Sequence, residues 1–139
     1  LLLSDGTVAN HEGVQQLNFP YSVNENLYVV VYHRNHLPVI SALPATDAGS
    51  AWIYDFTIDP TYTHGSNVNY LDGGAWGMIG GDGNADGTVN NNDGMETWIP
   101  NVGQSGYLPG DANLDGEVDN KDKNDVWWWN RGKFMVVPE

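Results

Sequence analysis

The sequence predicts a mainly β protein in which a small β-sandwich over residues 1–79 precedes a compact pair of repeated loops with short helical turns over residues 80–139. Three observations lead to this prediction. Runs of β-branched and aromatic residues lie before residue 80, separated by clusters of Pro, Gly, Asn and Ser. No segment in that part keeps a sustained helical period. After residue 80, one twelve-residue pattern is written twice.

The first part of the chain contains several strand-like segments. The clearest covers residues 27–34, Leu-Tyr-Val-Val-Val-Tyr-His-Arg. A corner at residues 34–36 leads into a second run over residues 37–42, which predicts a hairpin. Further strands are predicted over residues 1–10, 15–21 and 51–59, with loops over residues 43–50 and 60–70.

The repeated pattern is D-x-N-x-D-G-x-V-x-x-x-D, and each residue of the second copy lies 29 positions after its counterpart in the first. We call residues 82–93 loop 1 and residues 111–122 loop 2. Ca²⁺ takes about six to eight oxygen ligands, which a twelve-residue loop supplies from positions 1, 3, 5, 7, 9 and 12. The predicted ligands are Asp82, Asn84, Asp86, the Thr88 carbonyl, Asn90 through a water and Asp93 in loop 1, and Asp111, Asn113, Asp115, the Glu117 carbonyl, Asp119 and Asp122 in loop 2. The sequence therefore predicts two calcium ions.

Two further loop positions have structural roles. Gly87 and Gly116 occupy position 6, where the chain turns sharply around the ion and a positive φ is needed. Val89 and Val118 occupy position 8 and point away from the ion. We expect these valines to meet across a short two-stranded bridge that joins the two loops.

Two loops closed by aspartate rather than glutamate resemble the type I dockerin module, and the resemblance covers residues 81–133. It implies an EF-hand-like pair that binds calcium. Dockerins generally follow each loop with a full amphipathic helix, whereas Gly94 and Pro100 here predict only one or two helical turns. Positions 10 and 11, which often help dockerins recognise cohesin, are Asn91-Asn92 and Asn120-Lys121. Cohesin recognition therefore does not carry over.

A second resemblance covers most of the chain. The block over residues 28–39, followed by a calcium-loop pair, resembles the C-terminal regions of large secreted bacterial surface proteins. This resemblance implies a location and an architecture rather than an activity.

Composition limits the possible partners and the location. The net charge of −13 argues against nucleic acid and anionic membranes, and two calcium ions would bring it to −9. The chain has no cysteine, and no apolar run approaches the roughly 20 residues of a membrane span. Calcium loops of low affinity need the high calcium found outside cells, so we predict an extracellular or cell-surface protein.

No catalytic residue is predicted. His33 and His36, with Arg34 between them, suggest a metal site or a catalytic base. At a hairpin corner such histidines more often hydrogen-bond the loop or face solvent, and no carboxylate or cysteine is adjacent in sequence to complete a zinc site. We therefore predict a protein that is not an enzyme.

The run Trp127-Trp128-Trp129 predicts a partner surface. Three consecutive side chains cannot all enter one core, so at least one tryptophan must lie near the surface. Trp127 aligns with Trp98 of the first copy and is the predicted internal anchor. The predicted partner-binding residues are Trp128, Trp129, Leu1, Leu2 and Leu3.

These features predict a calcium-stabilised structural or assembly module of a bacterial surface protein or filament, which acts through association with other chains or with itself. Two alternatives remain open. One is a dockerin that anchors a secreted protein to a cohesin-like partner, and the other is an accessory carbohydrate-binding module that uses the tryptophans. In each case we expect chelation to melt the C-terminal half first.

Overall fold

The computed structural model describes residues 12–13, 22–71 and 73–139. Within these ranges the strands are short, antiparallel and paired in twos. They are β1 (Val30–His33) with β2 (His36–Ile40), β3 (Thr46–Asp47) with β4 (Trp52–Ile53), and β5 (Asn69–Leu71) with β6 (Ala75–Gly77). Two 3₁₀ turns, Pro60–Tyr62 and His64–Ser66, lie between β4 and β5.

The β1–β2 hairpin confirms the strongest strand prediction. Val30 pairs with Ile40 and Val31 with Val39, and a register shift precedes the corner at residues 34 and 35. The other strands differ from the prediction. The strand predicted over residues 51–59 is reduced to Trp52–Ile53. Strand β3 and most of β5 fall in segments predicted as loops, and β6 lies where no strand was predicted. The strands predicted over residues 1–10 and 15–21 lie outside the described residues.

Two helices follow the loops. Helix α1 comprises Asn91–Asp93, Gly94–Trp98 and Ile99–Asn101 in succession. Helix α2 comprises Asp122–Trp127 and Trp128–Asn130. The segments Gly94–Trp98 of α1 and Asp122–Trp127 of α2 are wide, with i→i+5 hydrogen bonds.

The prediction of only one or two helical turns after loop 1 was wrong, because α1 continues through both Gly94 and Pro100. A capping box starts the helix: the Asn90 side chain accepts from the N–H of Asn92, and Asp93 accepts from the N–H of Asn90. Gly94 serves packing rather than termination, since a Cβ there would lie 3.2 Å from the Trp127 ring.

The main apolar cluster connects the two predicted parts of the chain. Three apolar side chains are almost completely buried: Leu37 of β2, Val89 of loop 1, and Ile79, which precedes loop 1. Trp127 packs against them. The hairpin and the loop pair therefore share one core across the boundary predicted between residues 79 and 80. No helix in the described part of the chain is long and apolar enough to cross a membrane.

Candidate metal centre

The backbone of the two loops has the same conformation at matching positions. Gly87 and Gly116, at position 6, have φ of 84° and 88°, which confirms the predicted positive φ. Two positions earlier, Ala85 and Leu114 also have positive φ, at 57° and 65°. Because these four angles recur in register, the repeat in sequence is also a repeat in three dimensions.

The loop side chains hold this backbone by matched hydrogen bonds. At position 12, Asp93 accepts from the N–H groups of Asn84 and Asn90 at 3.2 and 2.7 Å. Asp122 accepts from Asn113 and Asp119 at 3.1 and 2.8 Å. The side chains at positions 3, 5 and 9 each accept from the N–H two residues later, in both loops. These side chains thus hold the main chain of their own loop in place.

Position 1 provides the test of whether a cation fits. Asp82 and Asp111 are 0% and 2% exposed, and the Oδ1 atom of each is buried without a hydrogen-bond partner. The Oδ2 atom of Asp82 accepts from the N–H of Gly87 at 3.1 Å, so only one oxygen of that carboxylate is left over. An unpartnered, buried carboxylate oxygen is costly. Its recurrence at the same position of both loops fits a cation ligand at each.

The surroundings of Asp82, Asp93 and Asp111 disfavour the ionised form of their carboxyl groups. Burial, as the main cause, raises the pKa of Asp82, Asp93 and Asp111 above the ordinary value of an aspartate. Neighbouring loop carboxylates raise the pKa of each of them further. A bound divalent cation would remove both penalties.

The described residues hold no compact group of three or more His, Cys, Asp or Glu side chains that forms a metal cage by itself. The predicted ligand sets are of another kind, since each includes an asparagine and a main-chain carbonyl as well as carboxylates. Such a mixed set of oxygens, with the two unpartnered carboxylate oxygens, is of the kind that calcium ligation requires.

The two repeats are interlocked through their tryptophans. Trp98 of the first repeat donates its Nε1–H to the carbonyl of Asp119 in loop 2, at 2.7 Å. Trp127 of the second repeat donates to the carbonyl of Asn90 in loop 1, at 2.9 Å. Both carbonyls occupy position 9, so each helix anchors the opposite loop.

The position 8 valines do not pair with each other, so the predicted bridge between them was wrong. Val89 exchanges main-chain hydrogen bonds with Gly132 and Lys133, at the exit of α2. Val118 exchanges them with Gly103 and Gln104, at the exit of α1. The loops are therefore joined by a crossed exchange, since each valine pairs with the segment that follows the other repeat's helix.

The hairpin corner inserts between the two loops, which the sequence did not predict. Asn35 is fully buried; its Nδ2 donates to the carbonyls of Pro109 and Asp111, and its own carbonyl accepts from the N–H of Gly81. Arg34 forms an ion pair with Asp111, at 3.2 Å. The sequence feature that marks this corner is Arg34 itself, the only Lys or Arg before residue 121.

The two candidate histidines lie side by side at this corner. Their Nδ1 atoms are 3.1 Å apart, and His36 also hydrogen-bonds the Asn35 side chain at 2.9 Å. The main chain of His36 pairs with Gly80, at the entry to loop 1. Burial, followed by the charges of His33 and Arg34, lowers the pKa of His36 to about 4. The main chain of His36 thus joins the hairpin to the loop pair, and the two imidazoles lie at this junction.

The predicted partner surface is described in part. Trp128 and Trp129 are 52% and 75% exposed, which confirms that the tryptophan run reaches the surface. The guanidinium of Arg131 stacks on the Trp128 ring, 3.6 Å from its centroid. The predicted contribution of Leu1, Leu2 and Leu3 lies outside the described residues.

Comparison of the chain with protein-family models, with curated proteins and with solved structures gave no match.

Proposed function

We propose that the chain is a non-enzymatic, extracellular module of a bacterial surface protein or filament, whose dockerin-like loop pair binds two calcium ions and which acts through protein association. The observation that carries the calcium assignment is the pair of buried, unpartnered Oδ1 atoms of Asp82 and Asp111. In this proposal calcium supplies the positive charge that the clustered carboxylates lack. The predicted β-sandwich belongs to the same proposal, as the finer arrangement of the β-rich part.

Calcium would also supply stability. If extracellular calcium exceeds the dissociation constant by about 100-fold, each site adds roughly 2.7 kcal/mol. Two such sites amount to a large share of the roughly 5–15 kcal/mol by which a domain is usually stable. Because the loops interlock through Trp98 and Trp127, loss of calcium at one loop should loosen the other.

The association surface that we propose is centred on Trp128 and Trp129. Both rings are exposed, and Arg131 holds the first of them in place. Rigid aromatic side chains with a neighbouring arginine are favoured at protein interfaces. Self-association through this surface would make the module a building block of a surface layer or filament.

One observation favours the dockerin alternative. Short post-loop segments were the main argument against it, yet α1 continues to Asn101 and α2 to Asn130. A docking module that binds a cohesin-like partner through these helices is therefore our second candidate.

The first test is calcium stoichiometry, measured by calorimetric titration of the wild type and of Asp82→Ala and Asp111→Ala. We expect two ions in the wild type and one in each variant. Unchanged stoichiometry in both variants would refute the ligand assignment.

The second test is the molecular mass by light scattering, in millimolar calcium and after chelation. Large assemblies that dissolve on chelation and are absent in Trp128→Ala/Trp129→Ala would support self-association. A monomer in calcium would exclude self-association, and binding of that monomer to a cohesin would support docking.

A further inference from the structure

The two loops have the same hydrogen-bonded scaffold but different charged neighbours. In loop 2, two cationic side chains contact predicted ligands, Arg34 at Asp111 and Lys121 at Asp115 and Asp119. In loop 1, none of the described residues forms an ion pair with Asp82, Asp86 or Asp93. This difference bears directly on how each loop would receive a cation.

Arg34 is held firmly in its place beside loop 2. Its Nη2 lies 3.2 Å from Asp111 Oδ2, its Nε donates to the Leu108 carbonyl at 3.2 Å, and its guanidinium stacks 3.6 Å from the Tyr107 ring centroid. The Arg34 side chain is 17% exposed and that of Asp111 only 3%, so solvent screens this pair poorly. The guanidinium occupies Oδ2 and leaves Oδ1, the proposed calcium ligand, without a partner.

Lys121 places a second cation beside loop 2, and its electrostatic effect is smaller because its side chain is exposed. Its Nζ lies 3.4 Å from Asp115 Oδ2 and 3.9 Å from Asp119 Oδ2, and its side chain is 61% exposed. The corresponding residue in loop 1 is the neutral Asn92. Loop 2 has two carboxylates that loop 1 lacks, Asp119 in place of Asn90 and Glu117 in place of Thr88, and Lys121 offsets one of them.

Loop 1 has an added anion instead of a cation. Glu96, on helix α1, accepts a hydrogen bond from Asn84 Nδ2 at 3.0 Å. Its carboxylate thus lies beside the predicted position 3 ligand. Loop 1 therefore concentrates negative charge that no side chain of the described residues neutralises by an ion pair.

We propose that the two calcium sites are unequal because Arg34 and Lys121 act as internal counter-charges for loop 2: loop 1 binds calcium first and more tightly, and loop 2 binds it weakly. This inference rests on the proposed calcium function. A cation that enters loop 2 is repelled by the fixed guanidinium, whereas no cationic side chain of the described residues forms an ion pair with the carboxylates of loop 1. Arg34 is thus a residue of the β-hairpin that sets the affinity of a site in the C-terminal repeat.

The inequality is tested with calcium alone as the probe. Asp86→Ala and Asp115→Ala remove the matched position 5 ligand from loop 1 and loop 2, and so leave one site each. Calorimetric titration should show calcium binding about tenfold more tightly to Asp115→Ala than to Asp86→Ala, a difference of the order expected for one fixed charge beside a divalent ion. Equal affinities, or tighter binding to Asp86→Ala, would overturn the inference.

Arg34 variants in the Asp86→Ala background separate charge from positioning. We expect Arg34→Gln to raise the calcium affinity of loop 2 about tenfold, and Arg34→Lys, which keeps the charge, to leave it within about twofold. Lys121→Gln should raise it about twofold, because that lysine is exposed. Lys123→Gln is the matched control, since Lys123 lies over the Trp98 ring instead of pairing with a loop carboxylate. A lower or unchanged affinity in Arg34→Gln would overturn the role of its charge.

The outcomes distinguish the two proposals. A wild-type protein that binds no calcium would refute the proposed function itself. Two ions bound with equal affinity, and no response to Arg34→Gln, would refute only the inequality. Tryptophan fluorescence and circular dichroism of each variant, with and without calcium, identify any variant that is unfolded. If Arg34→Gln is unfolded, the calcium affinity of Lys121→Gln tests the counter-charge role in its place.

Discussion

Loop 1 and loop 2 have the same main-chain conformation and matched hydrogen bonds from the side chain at position 12, yet among the described residues the cations that pair with loop carboxylates lie at loop 2. The shared features come from residues inside the repeat. The cations of loop 2 come from Arg34, which belongs to a distant hairpin, and from Lys121, which stands where loop 1 has Asn92. A duplicated motif can thus keep its geometry while its surroundings give the two copies different electrostatics.

The largest change in stability should follow a fall in pH, because His36 lies at the hairpin corner. At this corner His36 meets the entry of loop 1 and Arg34 meets loop 2. The pKa of His36 is lowered from 6.5 to about 4, so the folded protein resists protonation more than the unfolded chain does. The stability from neutral His36 is therefore present above pH 6.5 and is lost as the pH falls toward 4.

We expect the wild type, with calcium kept saturating, to lose up to about 3 kcal/mol more stability over this range than His36→Gln does. Urea denaturation at a series of pH values measures this difference. His33→Gln is the control and should have a smaller effect, because His33 is less buried. Parallel curves for the wild type and His36→Gln would contradict the prediction.

Substitution of Trp127 or Trp98, which anchor each other's loops, should give the next largest loss of stability. Trp127→Phe should cost about 2 kcal/mol, because the variant loses a hydrogen bond to loop 1 and contacts with Leu37, Ile79 and Val89. Trp98→Phe should cost about 1 kcal/mol through its lost bond to loop 2. Each variant should weaken calcium binding in the opposite repeat, as measured in the single-site backgrounds.

Trp129→Phe serves as the control for this pair, since the Trp129 ring is exposed and should change stability by less than about 0.5 kcal/mol. If Trp98→Phe weakened loop 1 instead of loop 2, the exchange between the repeats would not govern the sites.

The smallest effect, and the most direct comparison of the loops, is the removal of one charge at position 1 without calcium. Asp82→Asn should raise the free energy of unfolding by about 1 kcal/mol, because it removes a buried carboxylate that no cation pairs with. Asp111→Asn should lower it by about 1 kcal/mol, because it leaves Arg34 without its partner. Urea denaturation in the presence of a chelator measures both, and changes of the same sign would show that the loops do not differ in charge as inferred.

Local patterns predicted local structure well. The β1–β2 hairpin, the positive φ at Gly87 and Gly116 and the surface position of Trp128 and Trp129 were all predicted from neighbouring residues. The helix after loop 1 was not, because Gly94 and Pro100 were interpreted by their intrinsic propensities. In the structure, packing of the Trp127 ring against Gly94 supports a helix that those propensities disfavour.

In the candidate site too, local features were predicted from the sequence and long-range contacts were not. Its predicted ligands follow from spacing within twelve residues, but the partners of Val89 and Val118 were predicted incorrectly, since the chain exchanges segments between the repeats. Arg34 and Asn35 were missed as parts of the loop unit, although Arg34 is an isolated cation in an otherwise uncharged or acidic stretch of the sequence. Nothing in the repeat itself indicates which distant hairpin fits between its two halves.

The sequence by itself determined the internal conformation of the loops, because the hydrogen bonds within each loop join residues at most nine positions apart, as between Asn84 and Asp93. Contacts of this range follow from the order of side chains along a short segment. Only the tertiary structure decided which charges surround each loop, because the Arg34–Asp111 pair joins residues 77 positions apart. Such a contact depends on how the shared core of Leu37, Ile79, Val89 and Trp127 brings the hairpin against the repeats.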